Sequence, residues 1–93
     1  MMDQSEKDQG TIAALMIRMD EIRLPRARRL QVKVNAGELL SNSDIRFLKR
    51  VHDDYQANQA LMLRNPEYSY LMSCFIDLYA EIIARGLENE KAR

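Results

Sequence analysis

The most apolar part of the chain is YSYLMSCFIDLYAEII, which runs from Tyr68 to Ile83. Its only residues that are neither apolar nor aromatic are Ser69, Ser73, Asp77 and Glu81, each four positions after the last. Residues four apart lie in one row along an α-helix. The pattern therefore predicts a helix with one narrow polar ridge, solvated or crossed by a neighbour, and an apolar surface nearly everywhere else.

Helical periodicity extends through most of the remaining chain. Apolar residues recur at three- and four-residue spacing from Ile12 to Ile22, around Ala27 to Val34, and from Phe47 to Met62. The predicted helices cover about residues 11–24, 26–36, 42–64 and 66–86. We expect an all-α fold, a compact four-helix bundle-like domain with the C-terminal helix at its centre.

Local signals set the ends of the first two predicted helices. The pair Leu24-Pro25 should end or kink the first helix, because a residue before proline is pushed out of the helical region. Pro25 also suits the first turn of a new helix. Gly37 is placed to cap the C-terminus of that second helix.

Capping residues also precede the third and fourth helices. Ser41 as N-cap puts Asp44 at the third helical position, an acidic form of the capping box, and Ser43 is an alternative cap. Before the fourth helix, Asn65 can cap and Pro66 can take the first helical position.

One segment permits two interpretations. Val32 and Val34 alternate with polar residues, which would also suit a short strand over Leu30 to Val34. The sequence offers no second strand for pairing, so we favour a helix there.

The length of 93 residues indicates one domain. We expect a flexible tail at residues 1–10, a single helical domain at 11–87 and a polar tail at 88–93. The start of the chain lacks the basic and apolar regions of a secretory signal, and the apolar stretch is too short and too charged to span a bilayer. A single cysteine gives no indication of an oxidising compartment, so we expect a cytoplasmic protein with no membrane association.

A helix that is apolar almost all round is either the centre of a tight bundle or a contact surface for a partner. We favour the contact surface, because two short helices and one long one are not expected to cover all of it. The predicted interface residues, which would pack rather than react, are Tyr68, Leu71, Met72, Phe75, Tyr79 and Ile83. The expected partner is a second copy of the chain in a homodimer, or another protein.

A basic stretch suggests a second function. Six basic residues stand against two acidic ones between Arg18 and Lys33. The candidates for contact with nucleic acid or an acidic partner are Arg23, Arg26, Arg28, Arg29 and Lys33. Arginines bind phosphates through forked donors, but the chain as a whole is formally neutral and no aromatics are interleaved for base stacking. Nucleic-acid binding is therefore the alternative interpretation.

Side chains for catalysis are scarce. His52 is the only histidine and Cys74 the only cysteine. No Glu-x-x-His motif supports a metal site in a helical bundle, and the apolar neighbours of Cys74 indicate an inert thiol. We expect no catalytic, cofactor or metal site, and predict a small non-enzymatic protein-interaction module that self-associates through its C-terminal helix.

Overall fold

The computed structural model describes residues 4–92, with side chains from Gln9 onwards. The helices are α1 (Gln4–Arg18), α2 (Leu24–Asn35), α3 (Asn42–Ala57), α4 (Gln59–Arg64) and α5 (Pro66–Lys91), with a π-helical turn at Met19–Arg23. The predicted all-α fold is confirmed, and no strand occurs between residues 4 and 92. The segment from Leu30 to Val34 is helical, which excludes the strand alternative.

The first two predicted helices form one continuous rod. The π-helical turn joins α1 to α2, and its end is marked by the Leu24 N–H, which donates to the Met19 carbonyl five residues earlier. Proline lacks an N–H and crowds the carbonyl four residues before it. Because the wider turn immediately precedes Pro25, the helix accommodates the proline and continues to Asn35.

The π-helical turn also decides which side chains face the core. In a π-helical turn, the residue one turn after Met19 along the helix is five positions later, which is Leu24. Leu24 therefore lies on the same buried face as Met19, and its neighbour Arg23 is buried as well. Ile22, predicted to lie on the apolar face, is instead 60% exposed. That part of the prediction was wrong because it assumed an uninterrupted α-helical period.

Gly37 ends α2 as predicted. Its φ of 88° lies in the left-handed region, and its N–H donates to the Val34 carbonyl at 3.0 Å, while the Glu38 N–H reaches Lys33 at 3.2 Å. This pair of bonds defines a Schellman motif. Asn89, from the segment expected to be a polar tail, donates its amide to the carbonyls of Val34 and Glu38 at 2.8 and 2.9 Å. The end of α5 thus helps to close the end of α2.

The predicted capping box starts α3. The Asp44 N–H donates to the Ser41 hydroxyl at 3.0 Å, and the Ser41 N–H donates to the Asp44 carboxylate at 2.9 Å. Lys33 of α2 reaches the same carboxylate at 2.7 Å. Burial alone would raise the pKa of Asp44, but the hydrogen bonds from Lys33 and Ser41 outweigh it and leave that pKa below its usual value.

Two asparagines divide the segment predicted as one helix over residues 42–64 and separate it from α5. The Asn58 side chain donates to the Asp54 carbonyl at 2.7 Å, and α3 ends there. Asn65 makes the equivalent bond to the Leu61 carbonyl at 2.8 Å and makes no side-chain cap for α5. Short amides that bond to their own backbone compete with the helical ladder, which explains both interruptions.

The C-terminal helix α5 is central, as predicted. The rod of α1 and α2 runs beside α5 in the same direction, since Ile12 lies near Pro66, Gln31 hydrogen-bonds Glu81 and Asn89 reaches Val34. The bundle measures 57 × 20 × 20 Å. Its core contains Ile12, Met19, Leu24, Ala27, Leu30, Val34, Phe47, Leu48, Val51, Leu61, Tyr68, Met72, Phe75 and Ile82.

Gly86 does not end α5, which continues to Lys91. A Cβ at this position would lie 3.0 Å from Cδ1 of Leu40, so the glycine permits a close approach of the loop before α3. Gly10, in α1, has open space around the same position.

These two glycines provide a matched test. Alanine in a helix interior is more favourable than glycine by about 1 kcal/mol. We expect Gly10→Ala to raise the free energy of unfolding by roughly that amount. Gly86→Ala should gain clearly less, or lose stability, because Leu40 has to move. Urea unfolding measures both, and an equal gain at the two positions would contradict the close approach at Gly86.

The capping box generates a pH prediction. Because the folded-state pKa of Asp44 is lowered, its stabilisation is present above the unfolded-state value of about 3.8 and is lost as pH falls through the folded pKa. Asp44→Asn should cost about 1 kcal/mol at pH 7 and should lose less stability than wild type between pH 6 and pH 3. The exposed Asp53→Asn is the control, and the measurement is urea unfolding across pH. Identical pH dependence in wild type and Asp44→Asn would contradict the assignment.

Candidate protein-interaction surface

The six predicted interface residues fall into two groups. Tyr68, Met72 and Phe75 are at most 2% exposed, because the chain's own helices cover them. No partner can contact these three side chains in this fold. Leu71, Tyr79 and Ile83 are half-buried at the edge of the core.

Aromatic contacts fix the middle of α5 against α3. Phe75 meets Phe47 edge-to-face, with ring centroids 6.4 Å apart. Tyr79 stacks on His52 at 5.3 Å, which gives the only histidine a packing contact. No group of three or more acidic, histidine or cysteine side chains suited to a metal ion occurs within the described residues. In the same part of the chain, no helix is long and apolar enough to cross a membrane.

A concave surface with a mostly apolar lining lies where the π-helical turn meets the start of α5. We call it the acidic groove. It is lined by Met16, Ile17, Asp20, Glu21, Pro66, Glu67, Tyr70 and Leu71, and its volume is about 630 Å³. Two large apolar side chains project into solvent there, Ile17 at 57% and Tyr70 at 70% exposed. The apolar lining is therefore open to water and lacks a partner within the described chain.

The helix period of α5 explains why this apolar lining is on the surface. Pro66 takes the first helical position and starts α5 beside the N-terminal rod. Tyr68 then faces the core, and Tyr70, two residues later, faces nearly the opposite way. In the neighbouring rod, Met19 faces the core while Ile17 faces out.

Negative charge surrounds the groove. Asp20, Glu21 and Glu67 line it and are exposed. Within the described residues, none of these three carboxylates takes part in a salt bridge. Their charges are therefore open to solvent beside an apolar lining.

The predicted basic stretch does not form one surface. Arg23 is 8% exposed and forms a salt bridge with Asp54 of α3. It also lies close enough to Tyr68 for its charge to act on that phenol. Burial raises the pKa of Tyr68, and the Arg23 charge offsets only part of that effect.

The other basic residues of that stretch have different environments. Lys33 is paired with Asp44. Arg26 lies with its guanidinium 4.3 Å from the centre of the Phe47 ring and donates weakly to Ser43 at 3.4 Å. Arg28 and Arg29 are exposed. Two of the five candidates are thus neutralised inside the fold, which leaves less positive charge for nucleic acid than the sequence suggested.

A second concave surface combines arginines from the rod and from α3. We call it the arginine cleft. It has a volume of about 310 Å³ and is lined by Arg18, Ile22, Arg23, Arg26, Phe47, Arg50 and Val51. Arg18 and Arg50 are exposed, and within the described chain neither forms a salt bridge. Ile22 projects from among these guanidinium groups as an exposed apolar side chain.

Sequence reasoning missed the residues that define both surfaces. Ile17 and Tyr70 lie within apolar stretches, so the local composition does not distinguish them from core residues. The helical period places Ile22 on the core face, whereas it is exposed. The exposure of Ile17 and Tyr70 follows from the helix period, because each lies off the positions that face the core. The role of Arg50 has no sequence signal, because it depends on how α3 packs against the rod.

The half-buried salt bridge between Arg23 and Asp54 gives a stability prediction. Asp54→Ala leaves the Arg23 guanidinium in the core without its carboxylate, and should cost about 2–3 kcal/mol in free energy of unfolding. The adjacent Asp53→Ala removes only an exposed pair with Lys49 and should cost about 0.5 kcal/mol or less. Urea unfolding measures both. Arg23→Met should cost less than Asp54→Ala, since it leaves no buried charge, and the reverse order would contradict this account.

Comparison with known proteins found no relative of this chain. No family model matches the chain, and no match was found among curated proteins or among solved structures. The acidic groove and the arginine cleft are therefore the candidate functional surfaces of the chain.

Proposed function

We propose that this chain is a small non-enzymatic protein-interaction module, and that it docks its partner in the acidic groove. The observation that carries the proposal is the exposure of both Ile17 and Tyr70 in the lining of one concave surface. Full burial of such a side chain is worth roughly 1.5–3 kcal/mol, so covering both supplies a useful share of a binding energy.

The acidic border defines the chemistry of the partner. Asp20, Glu21 and Glu67 favour Lys and Arg side chains around an apolar contact and repel acidic ones. A helix that presents apolar residues on one face and basic residues beside them meets both conditions. Helix-in-groove recognition of this kind uses apolar anchors spaced three and four residues apart.

This proposal refines the predicted contact through the C-terminal helix. The contact residues on α5 are those of its first turns, Glu67, Tyr70 and Leu71, rather than the buried Tyr68, Met72 and Phe75. The rod contributes the other half of the groove. A partner there covers the outside of the bundle and leaves its core intact.

A model peptide tests the proposal directly. A fluorescently labelled amphipathic helical peptide made of Leu and Lys should bind the full chain, and the corresponding Leu and Glu peptide should not. Tyr70→Ser combined with Ile17→Ser should weaken binding at least about tenfold, because the apolar anchors are lost. Fluorescence anisotropy measures the affinity.

The control is Val32→Ser, which removes an exposed apolar side chain from α2 outside the groove. It should leave peptide binding unchanged. Equal binding of the two peptides, or equal loss with the control variant, would contradict docking in the acidic groove. Circular dichroism verifies that each variant remains helical.

A further inference from the structure

The arginine cleft carries the features that the acidic groove requires of a partner. Ile22 is an exposed apolar side chain among Arg18, Arg26 and Arg50. The groove offers an apolar lining among Asp20, Glu21 and Glu67. Three carboxylates of one surface thus correspond to three guanidinium groups of the other, since the fourth, that of Arg23, is paired with Asp54, and both surfaces include apolar side chains.

We propose that the partner in the acidic groove is a second copy of this chain, which inserts Ile22 and the arginines around it. The inference rests on the proposed function and names the occupant of its groove. The formal neutrality of the chain agrees with it, because opposite charges are collected on separate surfaces of one molecule and attract between copies.

The two surfaces lie on different sides of the rod. The acidic groove faces the start of α5, whereas the arginine cleft faces α3. The contact is therefore heterologous: a copy that uses its groove still has its cleft exposed, and a copy that uses its cleft still has its groove exposed. Association continues head to tail and does not stop at a closed symmetric dimer.

Charge determines how this association responds to salt. The three carboxylates of the groove and Arg18 and Arg50 of the cleft are exposed, so salt screens their attraction. The Debye length falls from about 10 Å at 0.1 M to about 3 Å at 1 M. The contact is small and should be weak, in the range where association is visible between roughly 10 µM and 1 mM protein. The average mass should rise with concentration and fall with salt.

Mixing two variants tests the head-to-tail geometry. A groove variant, Glu21→Arg with Glu67→Arg, keeps its cleft. A cleft variant, Arg18→Glu with Ile22→Ser, keeps its groove. Each alone should remain at the mass of one chain, 10.9 kDa. An equimolar mixture should form a 1:1 heterodimer and nothing larger, because only one competent groove and one competent cleft can meet.

Light scattering on the full chain measures these masses. Arg29→Glu and Glu90→Arg are the controls, because they reverse exposed charges outside both surfaces and should leave wild-type association unchanged. If a charge-reversal variant loses its helical circular dichroism, Ile22→Ser and Tyr70→Ser replace the pair, since they remove only exposed apolar groups.

The outcomes separate this inference from the proposed function. A mixture that stays monomeric, or single variants that associate like wild type, would overturn the second copy as partner. If the Leu and Lys peptide still binds, the groove is a docking site for another basic partner. If the peptide fails to bind as well, both proposals fall. A heterodimer that forms in the mixture, together with binding of the Leu and Lys peptide to the wild-type groove, supports both proposals.

Discussion

A helix that is apolar around most of its circumference has to be covered along its length, and this constraint on α5 organises the whole molecule. Separate short helices would leave gaps between them. The chain instead places one continuous rod, α1 to α2, beside α5 and packs α3 and α4 on further parts of its surface, while Tyr70 stays exposed. The π-helical turn before Pro25 makes the rod possible, because it lets a helix containing proline continue.

The sequence predicted the parts of the fold that depend on local chemistry. The Ser41 and Asp44 capping box and the Gly37 turn are interactions between residues close in the chain, and both occur as predicted. The course of the chain at Pro25 and Asn58 was not predicted. At Pro25 the wider turn also places Leu24 in the core. At Asn58 the side-chain amide donates to the Asp54 carbonyl, and the helix ends there.

The candidate site was harder to predict from the sequence, because contacts between residues far apart in the chain decide which side chains are buried or paired. Arg23 belongs to the most basic stretch, yet its side chain is buried and paired with Asp54. Tyr68 and Tyr70 are two residues apart in an apolar run, yet one is buried and the other projects into solvent. Counts of charged and apolar residues describe a segment of the sequence, whereas a surface consists of the side chains that remain exposed after the helices have packed. The two surfaces combine exposed side chains from α1, α2, α3 and α5 with those of the π-helical turn.

The parallel course of the rod and α5 has a consequence for synthesis of the chain. Neighbouring helices joined by a short loop run in opposite directions and pack soon after both are made. Here the contacts of Gln31 with Glu81 and of Val34 with Asn89 join residues 50 and 55 positions apart. During synthesis, α3 can pack on the rod first, whereas the apolar face of the rod that packs on α5 stays uncovered until α5 itself has been made.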